Sequence, residues 1–166
     1  MATFSVQGPF NVSVTKSIAG RGITKDDVDQ FWISHESIKN ERGCYIFAFK
    51  AGKGYKPVYV GKATKSFGQE VFATHKLEKY HAGLRDQKKG TPVFFFVSLI
   101  KTRGAPNESA INEAESYLIQ ASLAANPDLL NVQKTKIALW SINGVVRSRQ
   151  GKPSVAATEL RRCIKV

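Results

Sequence analysis

The sequence predicts a small α/β domain of the α+β type, in which a mainly antiparallel, three-stranded sheet is flanked by helices. Two short apolar runs, at residues 44–49 and 57–61, are separated by a polar stretch with two glycines, which is typical of a β-hairpin. A third run at 93–100 is apolar on both faces and rich in strand-forming residues, which is typical of a central strand. Helical segments are expected at 66–84 and 107–125, where they can pack on this sheet.

A strand and a short helix are expected ahead of the hairpin. Phe4–Val14 alternates loosely between apolar and polar residues, which favours an edge strand. Thr24 is placed to cap a helix, because acidic residues follow it in the first turn. Val28, Phe31 and Trp32 then recur at helical spacing and form an apolar stripe that can face the core.

The two longer helices have identifiable ends. The 66–84 helix follows the hairpin, and Thr74 is placed to act as an internal cap within it. The 107–125 helix begins at Asn107, a residue type that commonly caps helices. It should stop at Asn126-Pro127, because the residue before a proline disfavours the helical conformation.

The C-terminal residues predict a small additional structure. Ile137–Ile142 is a short strand candidate, and Asn143-Gly144 favours a tight turn after it. Ser154 is placed to cap a short final helix that runs through Cys163.

The chain carries a large positive charge for its size. Its 166 residues have a formal net charge of +12, and 42% of them are hydrophobic, so one domain with a real core is expected. Such an excess favours a polyanionic partner, most often nucleic acid, while a basic surface without a partner is the alternative. The lysines expected to contact nucleic acid are Lys53, Lys56, Lys65, Lys79, Lys134 and Lys136.

The cysteines and the apolar runs bear on the location of the protein. Cys44 lies inside a strand and is expected to be a buried apolar residue, and no cysteine–histidine spacing suggests zinc. No run reaches the roughly 18 apolar residues of a membrane span, and the N-terminus lacks the pattern of a signal peptide. A cytoplasmic location and no membrane partner are therefore expected.

Glu115 lies on the apolar side of its predicted helix. At 100° per residue it falls about 40° from Ile111, inside the stripe that also contains Leu118 and Ile119, whereas Glu113 falls on the opposite face. Glu115 therefore points toward the core or toward a cleft at its edge. A carboxylate in that position needs a partner, and both a lysine or arginine and a metal ion such as Mg²⁺ are alternatives.

Two tyrosines are expected at neighbouring strand ends, because Gly43-Cys44-Tyr45 lies in the first hairpin strand and Tyr59-Val60-Gly61 in the second. A tyrosine in a strand more often packs than reacts. Together with Lys62, Glu115 and Asn131, however, these segments resemble the GIY-YIG nuclease family, whose members cut DNA one strand at a time with a metal ion.

The resemblance implies one Mg²⁺ or Mn²⁺ ion and a role for each matching residue. Glu115 would hold the ion, and Asn131 would brace the site. Tyr45 and Tyr59 would orient or deprotonate the attacking water and contact the scissile phosphate. Because a phenol with a pKa of about 10 is a poor base at neutral pH, it would need a neighbouring cation.

Val60-Gly61-Lys62-Ala63 is most similar to the branch of the family found in nucleotide-excision repair, where a lysine occupies the Lys62 position. Lys62 or the metal would be the cation beside the tyrosines, and Lys62 with His75 or Lys76 would neutralise developing charge. Gly61 would let the backbone approach a phosphate closely.

The family's arginine is missing from its expected place. Family members carry it about ten residues past the second tyrosine, where it stabilises the charge that builds on the phosphate. Position 69 here is Gln69, and no arginine occurs between Arg42 and Arg85. Either the helix carries an insertion that brings His75 or Lys76 to the phosphate, or Arg85 folds back, or the chain binds without cleaving. The first explanation is preferred.

The leading interpretation is a metal-dependent endonuclease that hydrolyses phosphodiester bonds in DNA, with Glu70 as a second candidate carboxylate. The alternatives are a catalytically inactive nucleic-acid-binding domain on the same fold and a protein-interaction module whose charge is incidental. DNA is the expected partner, and RNA is an alternative. The resemblance covers residues 42–131, which leaves 1–41 as an N-terminal arm and 132–166 as a basic extension packed on the core.

Overall fold

A computed structural model describes residues 2–17, 20–87, 89–100, 107–136, 142–145 and 152–164. The chain divides into two compact units, residues 1–135 and 136–166. None of the described helices is both long and apolar enough to cross a membrane. The described elements are β1 (Phe4–Asn11), β2 (Thr15–Ser17), β3 (Gly20–Gly22), α1 (Lys25–Ser34), α2 (Glu36–Lys39), β4 (Gly43–Ala51), β5 (Gly54–Ala63), α3 (Phe67–Glu70), α4 (Thr74–Asp86), β6 (Thr91–Leu99), α5 (Glu108–Ala125) and α6 (Val155–Ile164).

The predicted α+β class is confirmed. The main sheet is antiparallel with the strand order β1-β6-β4-β5, and β2 and β3 form a separate two-stranded ribbon. The hairpin strands and the central strand were predicted. The sheet has a fourth strand because β1, whose sequence favours an edge strand, pairs with β6 from Phe4 opposite Leu99 to Asn11 opposite Val93.

The two faces of the sheet bury different apolar clusters. Alternation along β4 sends Tyr45, Phe47 and Phe49 to one face, where rings from β6 and residues of α1, α3 and α4 cover them. The other face is covered by α5, which buries Ile119 and Leu123 against β5. The active-site prediction therefore involves residues on both faces of β5, the edge strand of the sheet.

Two of the predicted helix caps are present in this unit, and one is absent. Thr24 caps α1 in a capping box, in which its hydroxyl accepts from the Asp27 amide and the Asp27 carboxylate accepts from the Thr24 amide. Asn107 accepts from the Ala110 amide at 3.0 Å and caps α5. Thr74 does not cap: it is the first residue of α4, and no side chain caps that helix.

The predicted 66–84 helix is two helices. Ser66 caps α3 through the Gln69 amide, and the chain leaves helical geometry after one turn, at residues 71–73, before α4 begins. Val71 in this break is fully buried, so packing of the break into the core overrides the continuous helical pattern. The break changes which side chains of α4 face β5.

The second unit contains the turn and the final helix. Gly144 has a φ of +73°, and the Val145 amide donates to the Ile142 carbonyl oxygen at 2.9 Å, so the predicted turn is present. The Ser154 hydroxyl accepts from the Ala157 amide at 3.1 Å at the start of α6, as predicted. The predicted strand before the turn falls at residues 137–141, outside the described residues.

Candidate active site

The outer edge of β5 is closed by the segment that follows α5. Asn131 pairs with the backbone of Val60, because its Oδ1 accepts from the Val60 amide at 2.9 Å and its Nδ2 donates to the Val60 carbonyl oxygen at 2.8 Å. Asn126 donates in the same way to the Pro57 carbonyl oxygen at 2.7 Å. Side-chain amides thus satisfy polar groups that a further strand would otherwise pair, and Asn131 fixes the strand that carries Tyr59 and Lys62.

Tyr45 is fully buried beneath this strand. It lies opposite Gly61 in the β4–β5 register and contacts the rings of Phe67, Phe94 and Phe96. A Cβ atom at position 61 would lie 2.3 Å from the Tyr45 hydroxyl oxygen. Glycine is therefore required at position 61 because the phenol approaches the backbone there.

The Tyr45 hydroxyl has no hydrogen-bond partner among the described residues. The Tyr80 hydroxyl is near enough to interact weakly with it but lies outside hydrogen-bonding geometry, and it donates its own proton to the Val71 carbonyl oxygen at 2.6 Å. Burial, reinforced by Tyr80, raises the pKa of Tyr45 well above its ordinary value. The phenol therefore stays protonated at neutral pH.

Tyr59 is the more accessible of the two motif tyrosines. It is half-buried, and its ring centroid lies 6.4 Å from that of Tyr45 and 5.9 Å from that of Tyr80. Burial raises the pKa of Tyr59, and the negative charge of Glu115 raises it further. The charge of Glu115 on α5 thus acts on the Tyr59 phenol on β5.

Lys76 is a buried cation in the first turn of α4. Its side chain is enclosed, and its Nζ donates to the Lys62 carbonyl oxygen at 3.1 Å and lies 5.1 Å from the centre of the Tyr45 ring. Burial lowers the pKa of Lys76, and the charges of Glu70 and Glu115 oppose that shift. The structure therefore places one buried ammonium group directly behind the Gly61-Lys62 segment.

The other candidates for the missing arginine lie elsewhere. His75 is exposed on α4, and Gln69 is exposed on α3. Arg85 is exposed in the last turn of α4, nine residues beyond Lys76, which is about 13 Å along a helix. Of the cations considered from the sequence, Lys76 is the one that the helix break brings to the motif.

Glu70 supports the loop that leaves β5. Its carboxylate accepts from the Lys65 amide at 2.7 Å and from the Thr64 hydroxyl at 3.5 Å. These contacts fix the chain just beyond Lys62. Glu70 also acts on Lys76 through its charge.

Glu115 is paired with two lysines. Its carboxylate lies 2.6 Å from the Lys134 ammonium and 3.7 Å from the Lys62 ammonium, and its side chain is 13% exposed. Glu113, by contrast, is exposed and accepts from the Ser109 hydroxyl at 3.3 Å. The prediction that Glu115 and Glu113 lie on opposite faces of the helix is therefore confirmed. The partners of Glu115 in the structure are lysines.

Asn112 completes this cluster and was not identified from the sequence. Lys62 Nζ donates to its Oδ1, and Lys134 Nζ donates to its carbonyl oxygen at 3.3 Å. Asn112 precedes Glu115 by three residues, a spacing that places two side chains on neighbouring positions of one helix face. This spacing is the sequence signal that could have identified Asn112.

The remaining lysines do not form one cluster. Lys53 lies in the tight turn of the hairpin, at the opposite end of β5 from Lys62, about 30 Å away along a strand. Lys134, one of the lysines expected to contact nucleic acid, forms an ion pair with Glu115 at 2.6 Å. Exposed lysines are Lys53, Lys65 and Lys136, and half-buried ones are Lys56 and Lys79.

The oxygens around Glu115 are of the type that hard divalent ions bind. They are a carboxylate oxygen of Glu115 and the side-chain and main-chain oxygens of Asn112, and two ammonium groups already sit among them. Mg²⁺ and Mn²⁺ prefer such oxygen ligands and commonly complete their shell with water and phosphate oxygens. No group of three or more His, Cys, Asp or Glu side chains suited to a metal occurs in the described part of the chain.

Comparisons with protein-family models, with curated proteins and with solved structures yield no match. The resemblance to the GIY-YIG family therefore rests on the motif residues of the sequence.

Proposed function

We propose that this chain is a GIY-YIG-type endonuclease that hydrolyses phosphodiester bonds in DNA with one Mg²⁺ or Mn²⁺ ion. The supporting observation is that Lys62 on β5 lies between two charged groups, since its ammonium group is 3.7 Å from the Glu115 carboxylate and its carbonyl oxygen accepts from Lys76 at 3.1 Å. Tyr59 and Lys62 come from that strand, Lys76 from α4 and Glu115 from α5, and the charge of Glu115 acts on both Tyr59 and Lys76. Phosphodiester hydrolysis needs this combination of a carboxylate, cations and a hydroxyl in one place.

The cations have distinct roles in this proposal. Lys62, whose side chain is 37% exposed, contacts the incoming phosphate. Lys76 sits behind it and takes the place of the family's arginine as the buried positive charge. A lysine offers a compact ammonium group rather than a planar fork of donors, so it stabilises charge without bidentate contacts.

The remaining residues position the attacking water, the strand and the metal ion. Tyr59 orients the attacking water through its hydroxyl. Tyr45 supports Lys76 through its ring, and Asn131 keeps β5 in place. Glu115 and Asn112 would hold the ion, which when bound would supply Lewis-acid polarisation of the phosphate and a more acidic water.

The test is nicking of supercoiled plasmid and of a labelled branched duplex with Mg²⁺ or Mn²⁺. Wild type is compared with Glu115→Gln and with Glu113→Gln, a matched change on the exposed face of the same helix. Nicking should fall about 10²–10³-fold in Glu115→Gln, the usual effect of losing one charge-stabilising group, and should persist in Glu113→Gln. Equal nicking by both variants, or none by wild type, refutes the proposal.

A metal-independent nucleic-acid-binding domain is the second candidate. It is favoured by the Glu115–Lys134 ion pair and by the complete burial of Tyr45. Binding to duplex DNA, branched DNA and RNA should then be measurable without divalent ions and should weaken as salt is added. On duplex DNA, the logarithm of the binding constant should fall with the logarithm of the salt concentration, with a slope of about −0.9 per phosphate contacted. Salt-sensitive binding without nicking supports this candidate, and the absence of both supports a protein-interaction module.

A further inference from the structure

Lys134 forms three hydrogen bonds with residues of α5. Its Nζ donates to Glu115 Oε2 at 2.6 Å and to the Asn112 carbonyl oxygen at 3.3 Å, and its own carbonyl oxygen accepts from Gln120 Nε2 at 2.5 Å. Its φ is +61°, which makes it the one non-glycine residue with positive φ among the described residues. L-residues rarely adopt this conformation, so the contacts of Lys134 determine its backbone geometry.

The Lys62 and Lys134 ammonium groups lie among oxygen atoms of Asn112 and Glu115. Lys62 bridges Asn112 Oδ1 and Glu115 Oε2, while Lys134 bridges the Asn112 carbonyl oxygen and the same Glu115 oxygen. Each ammonium group therefore lies near two oxygens of the type that bind hard cations, although the Asn112 carbonyl oxygen also accepts from the Ser116 hydroxyl at 2.7 Å. Lys134 makes the closer contact of the two with the carboxylate.

We propose that the Lys134 ammonium is a resident counter-ion at the divalent-cation position, and that a metal ion displaces it from Glu115 and Asn112. A divalent ion bound to Glu115 at about 2.1 Å could not share that oxygen with an ammonium group, because the two cations would repel at short range. Displacement frees the Lys134 ammonium from Glu115 and from the Asn112 carbonyl oxygen, which keeps its hydrogen bond from the Ser116 hydroxyl at 2.7 Å. The inference deepens the proposed function and rests on it for the identity of the ion.

The first test is Mn²⁺ affinity, measured by electron paramagnetic resonance on the full chain without nucleic acid. Lys134→Met should bind Mn²⁺ about tenfold more tightly than wild type, equivalent to about 1.4 kcal/mol. Lys136→Met removes the same charge two residues away, from an exposed position, and should bind within about twofold of wild type. Adding Glu115→Gln to Lys134→Met should abolish the gain.

Equal affinities of Lys134→Met and Lys136→Met, or no detectable Mn²⁺ binding by any variant, overturn the inference. The second test needs no substitution. Mg²⁺ should increase the rate at which an amine-specific reagent modifies Lys134 in the wild type, read by mass spectrometry, while exposed Lys65 reacts at an unchanged rate. An unchanged rate at Lys134 also overturns it.

These outcomes separate this inference from the nuclease proposal. A Mn²⁺ affinity that rises in Lys134→Met without nicking by wild type refutes the nuclease and leaves the counter-ion exchange in place. Nicking that depends on Glu115, with no change in Mn²⁺ affinity in Lys134→Met, refutes the exchange and leaves the nuclease in place.

Discussion

Removal of the Tyr45 hydroxyl is expected to stabilise the folded protein. This hydroxyl is buried without a hydrogen-bond partner among the described residues. Taking a hydroxyl out of water without a compensating hydrogen bond costs about 1–3 kcal/mol. Tyr45→Phe keeps the ring contacts with Phe94 and Phe96 and removes that cost. We expect a gain of about 1 kcal/mol, the low end of the range, because the Tyr80 hydroxyl interacts weakly with the deleted group.

Tyr80→Phe is the matched control for this substitution. Tyr80 is as deeply buried as Tyr45, but its hydroxyl donates to the Val71 carbonyl oxygen at 2.6 Å. The same chemical deletion should therefore cost about 1–2 kcal/mol, because it leaves a buried carbonyl oxygen without its donor. Two buried tyrosines should thus respond to one change with opposite signs.

Both variants are unfolded with urea, and unfolding is monitored by circular dichroism. Their free energies of unfolding are compared with a common m value, the slope against urea concentration. A gain of 1 kcal/mol should also raise the melting temperature by about 2–4 °C for a chain of this length. Loss of stability in both variants would refute the reasoning, because it would mean that the Tyr45 hydroxyl is well satisfied in solution. Nicking by Tyr45→Phe within a few-fold of wild type would agree with a role of the ring rather than the hydroxyl.

Three further predictions follow from other buried groups. Gly61→Ala should cost about 1–3 kcal/mol in urea denaturation, because its Cβ would lie 2.3 Å from the enclosed Tyr45 ring. Burial lowers the Lys76 pKa below 10.5, so the unfolded chain holds this proton more tightly. Wild type should therefore gain stability relative to Lys76→Met as pH rises toward 10.5, and a constant difference would contradict this. Burial raises the pKa of Cys44 to about 12, so a thiol reagent at pH 8 should label exposed Cys163 alone until the chain is denatured.

Features that depend on local rules were predictable from the sequence. The orientation of Glu115 toward a partner and of Glu113 toward solvent follows from the 100° step of a helix. The Thr24 and Asn107 caps follow from residue types at helix starts. The hairpin strands follow from two apolar runs around a glycine-containing turn. Each of these needs only residues within a few positions of one another.

Features that depend on distant contacts were not predictable. Lys134 is separated from Glu115 by 19 residues, and its positive φ has no local sequence signal because glycine is the usual residue there. The break between α3 and α4 results from packing of Val71 into the core, which helical periodicity cannot report. Alternation along β4 assigns Tyr45 to a face of the sheet but does not say how deeply the opposing helices bury it.

Unfavourable local features are concentrated around the Gly61-Lys62 segment. Within this region lie a buried hydroxyl without a partner at Tyr45, a buried cation at Lys76 and a lysine with positive φ at Lys134. One such feature proves little, since the Trp32 indole nitrogen on α1 is also buried without a partner. Here several such features occur together at one strand edge. Each of them opposes folding, and simpler residues could fill the same positions. Proteins tolerate such conflicts chiefly where a ligand or a reaction requires them, so this edge of β5 is where function should be sought.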